Sequence, residues 1–142
     1  MKTNELLDSK VNVKIKLATL WAAVTFLYLY GDYFELYVPK KVDGLLNGTS
    51  MLDSPSKLFV AAFLLLIPAV MVSLSVFLTP RLNQSLHILA GIFYTIFVSM
   101  VGLSSLSTWR AFYVFYAAIE VCLTVTIVVT AWRWERVEVE KK

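Results

Sequence analysis

Apolar residues run almost without interruption through four stretches of this chain. Between Lys57 and Arg81 lie 23 residues with no Asp, Glu, Lys or Arg, and between Arg81 and Arg110 lie 28. A run of about 20 apolar residues is the length that crosses a bilayer as a helix. The pattern predicts a first span over 17–38. Its first 15 residues are uncharged, Asp32 and Glu35 follow, and Pro39 stops it, because the residue before a proline is pushed out of helical geometry. The second span, over 55–79, opens on Ser54 as N-cap and on Pro55 at the first helical position, where a missing N–H costs nothing. Pro68 near its centre predicts a kink. The third span covers 85–105. The fourth covers 109–132 and closes on Trp132-Arg133-Trp134, an aromatic and basic interfacial anchor. Only the first connection is long, and its Leu45-Leu46 pair is expected to dip to the membrane surface. Short connections make neighbouring helices antiparallel. The expected fold is therefore all-α: an integral membrane four-helix up-down bundle, one domain over 1–142, without internal repeats.

Composition sharpens this picture. Hydrophobic residues make up 58% of the 142 and charged residues 16%, against about 25% charged in soluble domains. Disorder and a soluble fold are both excluded. One cysteine, Cys122, excludes an internal disulfide and a Cys-x-x-Cys redox pair. One histidine, His87, excludes a bis-histidine haem within a single chain. It lies near a span end, where a solvated or capping role is expected. The chain carries no Gly-rich phosphate loop, no Gly-x-Ser-x-Gly and no His-Glu-x-x-His. The expectation is a protein that is no enzyme, with no cofactor and no metal. No small-x-small cleavage site follows the first apolar run, so it reads as a retained span.

The net charge is +3, and its distribution carries orientation, not nucleic-acid binding. Lys2, Lys10, Lys14, Lys16, Arg81, Arg133, Arg136, Lys141 and Lys142 fall at one end of the bundle. Lys40, Lys41, Lys57 and Arg110 fall at the other. Nine cations against four place both termini in the cytoplasm.

Several segments together carry a likeness. They are Lys14-Ile15-Lys16-Leu17 with Leu20-Trp21, then Tyr30-Gly31-Asp32 with Leu36-Tyr37 and Pro39, then Ile67-Pro68-Ala69-Val70-Met71, and Ala131-Trp132-Arg133-Trp134. The chain resembles, over most of its length, a family of small bacterial four-span membrane proteins of unknown function. The most specific part is 32–39, although the pattern leads one to expect Ala where Gly31 stands. The resemblance implies a multi-pass protein of the bacterial inner membrane and supplies no activity. By span count and size alone the chain is also distantly similar to the DoxX-like four-helix membrane proteins.

Three acids lie within the spans, and each needs a reason, since a charge at mid-bilayer costs at least about 2.5 kcal/mol on insertion scales. Glu120 is ten residues from Arg110, roughly 15 Å along a helix and about half of the ~30 Å hydrocarbon core. Asp32 is sixteen residues beyond Lys16, roughly 24 Å up. Glu35 is near the interface. Trp21, Thr25, Tyr28, Asp32 and Glu35 share one helical seam, and Trp109, Tyr113, Tyr116 and Glu120 share another. Acids avoid lipid, so both seams are expected to face inward or to face another subunit. If they face each other, Tyr28, Tyr116 and Glu120 meet near the midplane, with Asp32, Glu35 and Arg110 above. Such a cavity suits a cation, by charge and by cation–π contact. It also suits protons, since loss of hydration favours the uncharged form of a carboxyl group. The plainer alternatives are an interfacial ion pair for Asp32, Glu35 and Arg110, and for Glu120 a protonated acid bonded to a tyrosine or serine. Gly91, Thr95 and Ser99 form a stripe of small residues that permits close helix approach, within the bundle or between subunits.

The leading expectation is a binding or transport module for a cation, a proton or a small amphipathic ligand. Glu120 is the charge-switching group, Asp32 and Glu35 attract the ligand, and Tyr28 and Tyr116 line the site. A homodimer is expected to complete it. The alternative is a non-transporting membrane scaffold or interaction protein whose buried acids are structural. A membrane enzyme ranks third.

Overall fold

The structure is a computed structural model and describes residues 9–135. Lys2, Arg136, Lys141 and Lys142, used above for orientation, lie outside the described residues. Every regular element among these is helical: α1 (Val13–Glu35), α2 (Lys41–Leu46), α3 (Pro55–Phe77), α4 (Pro80–Ser104), a single 3₁₀ turn at Thr108–Arg110, and α5 (Ala111–Trp132). Four helical spans, the 3₁₀ turn counted with α5, are long and apolar enough to cross a membrane. This is the architecture of a multi-pass membrane protein.

Local chemistry sets the ends. Asn12 caps α1, its side chain accepting from the Lys14 N–H at 2.9 Å. Ser54 caps α3, with Pro55 in its first turn. Helix α4 starts at Pro80, five residues before the apolar run suggests. A proline opening a helix and the polar Arg81, Asn83 and Gln84 are invisible to an apolar count, yet they make a good first turn. The loop after α1 contains the short α2, which follows Lys40 in the left-handed region (φ 65°). That conformation reverses the chain just after Pro39.

The helices pack antiparallel, and polar contacts show how. Lys14 Nζ, at the start of α1, donates to the Leu78 and Val76 carbonyls at the end of α3, at 2.7 and 3.1 Å. Gln84 Nε2, at the start of α4, donates to the Ala131 carbonyl near the end of α5 at 2.9 Å. Lys10 and Glu135 approach to 3.6 Å, so both ends of the described chain lie at one end of the bundle. We call this the terminal end and the opposite one the loop end. The small-residue stripe faces inside. A Cβ at Gly91 would stand 2.6 Å from a Val128 methyl, and one at Gly102 would stand 2.8 Å from Ala117 Cβ. Helix α5 therefore sits directly on the backbone of α4, and Thr95 hydrogen-bonds Thr124 across the contact at 2.8 Å.

The apolar core is not central. Leu17, Trp21, Val24, Met71, Tyr94, Ile127 and Ala131 form it, and all but the mid-helix Val24 and Tyr94 belong to the terminal half. His87 is part of this layer, fully buried, which corrects the expectation of a solvated or capping residue. Trp21 Nε1 donates to His87 Nδ1 at 2.8 Å, and His87 Nε2 is 3.2 Å from Ser75 Oγ, which donates to the Met71 carbonyl at 2.6 Å. The chain of bonds joins α1, α4 and α3 where no water reaches. A tryptophan supplies the partner that makes a buried histidine tolerable.

Candidate functional site

Helix α3 is held to α1, whereas it meets α4 sparingly. The cause is legible in α3 itself. Pro68 has no N–H, so the Leu64 carbonyl loses its helical partner. Tyr94 of α4 takes its place, its hydroxyl donating to Leu64 O at 2.5 Å. Beyond this bridge, toward the loop end, Phe59, Val60 and Phe63 of α3 are exposed and line no part of the interior. The four helices there surround a hollow instead of a core.

The hollow is a cavity of about 510 Å³. Tyr28, Asp32 and Glu35 of α1 and Tyr113, Tyr116 and Glu120 of α5 form its polar wall. Leu58, Ala61, Ala62 and Leu65 of α3 and Phe97, Val98 and Val101 of α4 form its apolar wall. Lys41, Leu45 and Leu52 roof it, and Tyr94 with Leu64 makes its floor. The two seams do face each other. Tyr28, Asp32, Glu35, Tyr116 and Glu120 all line this one cavity.

The three acids differ in their surroundings. Glu35 is satisfied twice over. Arg110 binds it through Nη2 at 2.7 Å and Nε at 3.1 and 3.3 Å, and Lys41 Nζ approaches to 2.9 Å. Asp32 is not in that cluster, although the ion-pair expectation grouped it there. It is exposed, and it accepts from the Tyr113 hydroxyl at 3.3 Å. Glu120 is 6% exposed, and among the described residues the side-chain donor that reaches it, Thr124 Oγ1, goes to its backbone carbonyl and not to its carboxyl. The tyrosine or serine partner expected for a structural acid is missing. Tyr28 Oη is likewise buried without a partner. So the deep end of the cavity holds a carboxyl and a phenol with unused hydrogen-bonding capacity.

Two tyrosines pack over Gly31, with Tyr113 and Tyr116 at 3.6 and 3.8 Å from the place of a Cβ. Those are ordinary contacts, so the alanine that the sequence pattern leads one to expect would fit there. Among the described residues no three His, Cys, Asp or Glu side chains gather as a metal site would need.

The chain belongs to a family of unknown function, DUF6326, whose model matches residues 2–141. No curated protein and no solved structure matches it.

One contact resembles a catalytic pair, namely Ser75 and His87. Its geometry argues otherwise. The Trp21 N–H can only donate, so His87 Nδ1 accepts and Nε2 carries the proton. A protonated Nε2 cannot serve Ser75 as a base, and both residues are wholly buried. Sequence reasoning missed Lys41 as a second partner of Glu35, and Tyr94 as the floor. The signal for Tyr94 lay in Pro68, which creates a need for a donor without saying where it comes from. Trp109, placed on the α5 seam by spacing, is 67% exposed and lines nothing in the cavity. The 3₁₀ turn rotates it off the α-helical register.

Proposed function

We propose that this protein is a membrane binding or transport module that takes a cation, a proton or a small amphipathic ligand into the cavity between α1, α3, α4 and α5. Glu120 is the charge-switching group. Tyr28 and Tyr116 line the site, Asp32 attracts the ligand, and Glu35 is held by Arg110 and Lys41 at the rim. The observation that carries this reading is the Glu120 carboxyl, buried deep among the helices, unpartnered, and lining a cavity large enough for an organic molecule. Ligand cavities are commonly about 300–1,000 Å³, mostly apolar, with a few convergent polar groups. A single chain surrounds the cavity, so the reading does not require the homodimer. It assigns no enzyme activity and no cofactor.

The same reading puts the terminal end in the cytoplasm, on the nine-to-four distribution of cations along the sequence, and takes the bacterial plasma membrane from the resemblance alone. The cavity then faces outward. A scaffold is the second reading, favoured by the fully paired Glu35.

The test is thermal stability in detergent from pH 4 to 9, with and without a panel of inorganic and organic cations, for wild type and Glu120→Gln. A ligand bound only by the folded state raises the melting temperature. The proposal expects a cation that stabilises the wild type in a pH-dependent way and leaves the variant unchanged. Equal melting of both proteins at every pH and with every cation refutes it and leaves the scaffold.

A further inference from the structure

We propose that the cavity is filled sideways from the bilayer, between the loop-end halves of α3 and α4, by an amphiphile with one positively charged head and one alkyl chain. This rests on the ligand reading above and adds to it a ligand class and a route.

The route follows from what closes the cavity and what does not. On the loop side Glu35 is clamped by Arg110 and Lys41, and Leu45 and Leu52 lie across the top. On the bilayer side the last hydrogen bond between α3 and α4 is the Tyr94–Leu64 bridge at the floor. Above it no hydrogen bond among the described residues joins the two helices, which meet sparingly, so the wall there rests on apolar side chains such as Leu58 and Leu65. In a membrane the outside of that wall is acyl chain.

Charge selects the occupant. Three carboxyl groups, Asp32, Glu35 and Glu120, share two cations, Lys41 and Arg110, and both cations sit on Glu35. When all are ionised one negative charge remains, matched by one monovalent head. Asp32 and Glu120 meet the head, and the Tyr28 and Tyr116 rings suit a quaternary ammonium by cation–π attraction. The α3 and α4 walls offer only hydrocarbon, which suits a chain. A phospholipid would bring its phosphate against Asp32 and Glu120. A neutral chain would leave Glu120 unpartnered.

The experiment uses the full chain in lipid nanodiscs and radiolabelled dodecyltrimethylammonium as probe. Tetramethylammonium and dodecanol compete as head-only and chain-only molecules. Ala62→Trp narrows the gap from α3. Ala118→Trp adds the same bulk on an exposed part of α5 outside the cavity. Melting within 2 °C of wild type, a margin of about 1 kcal/mol or less for a domain of this size, shows each variant folded, and Ala62→Phe substitutes if Ala62→Trp is not. The expected result is dodecyltrimethylammonium at least 100-fold tighter than tetramethylammonium, since each buried methylene is worth about fourfold, and no competition from dodecanol. Association slows at least tenfold in Ala62→Trp and is unchanged in Ala118→Trp. Tetramethylammonium binding within threefold of the long chain, equal competition by dodecanol, or an unchanged rate in Ala62→Trp overturns the proposal. So does a second copy crosslinked through Leu58→Cys across the gap. Tetramethylammonium binding within threefold of the long chain, abolished by Glu120→Gln, would sink the lateral route and keep the site. Binding of neither ammonium ion would sink both.

Discussion

The Trp21–His87 bond is the polar contact whose removal has the most direct reading, because both partners are 0% exposed. The perturbation is a double-mutant cycle of Trp21→Phe and His87→Leu. Alone, His87→Leu leaves the Trp21 N–H without an acceptor, and Trp21→Phe leaves His87 Nδ1 without a donor. Orphaning a buried group costs about 1–3 kcal/mol in soluble cores, while removing both partners is nearly neutral. The void left by the smaller Phe ring appears on both sides of the cycle and cancels. In membrane proteins such couplings average about 0.6 and reach about 1.7 kcal/mol, because the unfolded chain also finds partners. Complete burial and a 2.8 Å bond place this pair near the top of that range. We expect a coupling of about 1.5 kcal/mol, a factor of roughly ten in the folding equilibrium. The assay is reversible unfolding of the full chain in mixed micelles against the mole fraction of denaturing detergent. A coupling below about 0.5 kcal/mol, within the additivity of independent sites, would refute the reasoning, and the bond would then be geometry without stability.

Other perturbations have definite expectations. Tyr94→Phe leaves Leu64 O bare and should lower stability by about 1–3 kcal/mol. The loss should shrink when Pro68→Ala restores the helical N–H, as read by the same unfolding assay. Gly102→Ala forces a Cβ against Ala117 and should cost about 1–3 kcal/mol, whereas Gly31→Ala meets only ordinary contacts and should stay within about 0.5 kcal/mol of wild type. Equal losses at the two glycines would contradict the packing. Arg110→Ala leaves Glu35 with Lys41 alone. Its melting temperature should fall and become less sensitive to salt than that of the wild type, since one of the two ion pairs that salt can screen is gone.

Much of the fold is legible in the sequence alone. The four apolar runs announced themselves, because lipid demands long uninterrupted helices. The α1 and α5 seams could be placed because acids at helical spacing have only one acceptable side in a membrane. Their convergence on one cavity was conditional on the two seams facing each other, and no periodicity decides which helices are neighbours. His87 was misplaced for a related reason. Its depth is near a span end, but its burial depends on Trp21 and Ser75, which come from two other helices. The short α2 escaped notice because six residues after a left-handed Lys40 leave too little apolar pattern. Helix α4 began early because proline and polar residues make a first turn that hydropathy ignores.

The placement of Pro68 has a mechanical side. It divides α3 into a stretch anchored in the core and a free arm running from Pro55. Thirteen residues at about 1.5 Å each make that arm roughly 20 Å long. A tilt of about 10° at its base would carry the tip by roughly 3.5 Å, about the separation of two carbon atoms in van der Waals contact. On the lateral route proposed above, the aperture between α3 and α4 would be geared to a single backbone position. A small rotation at Pro68, with the core below it undisturbed, would then separate a slot that admits a hydrocarbon chain from one that does not.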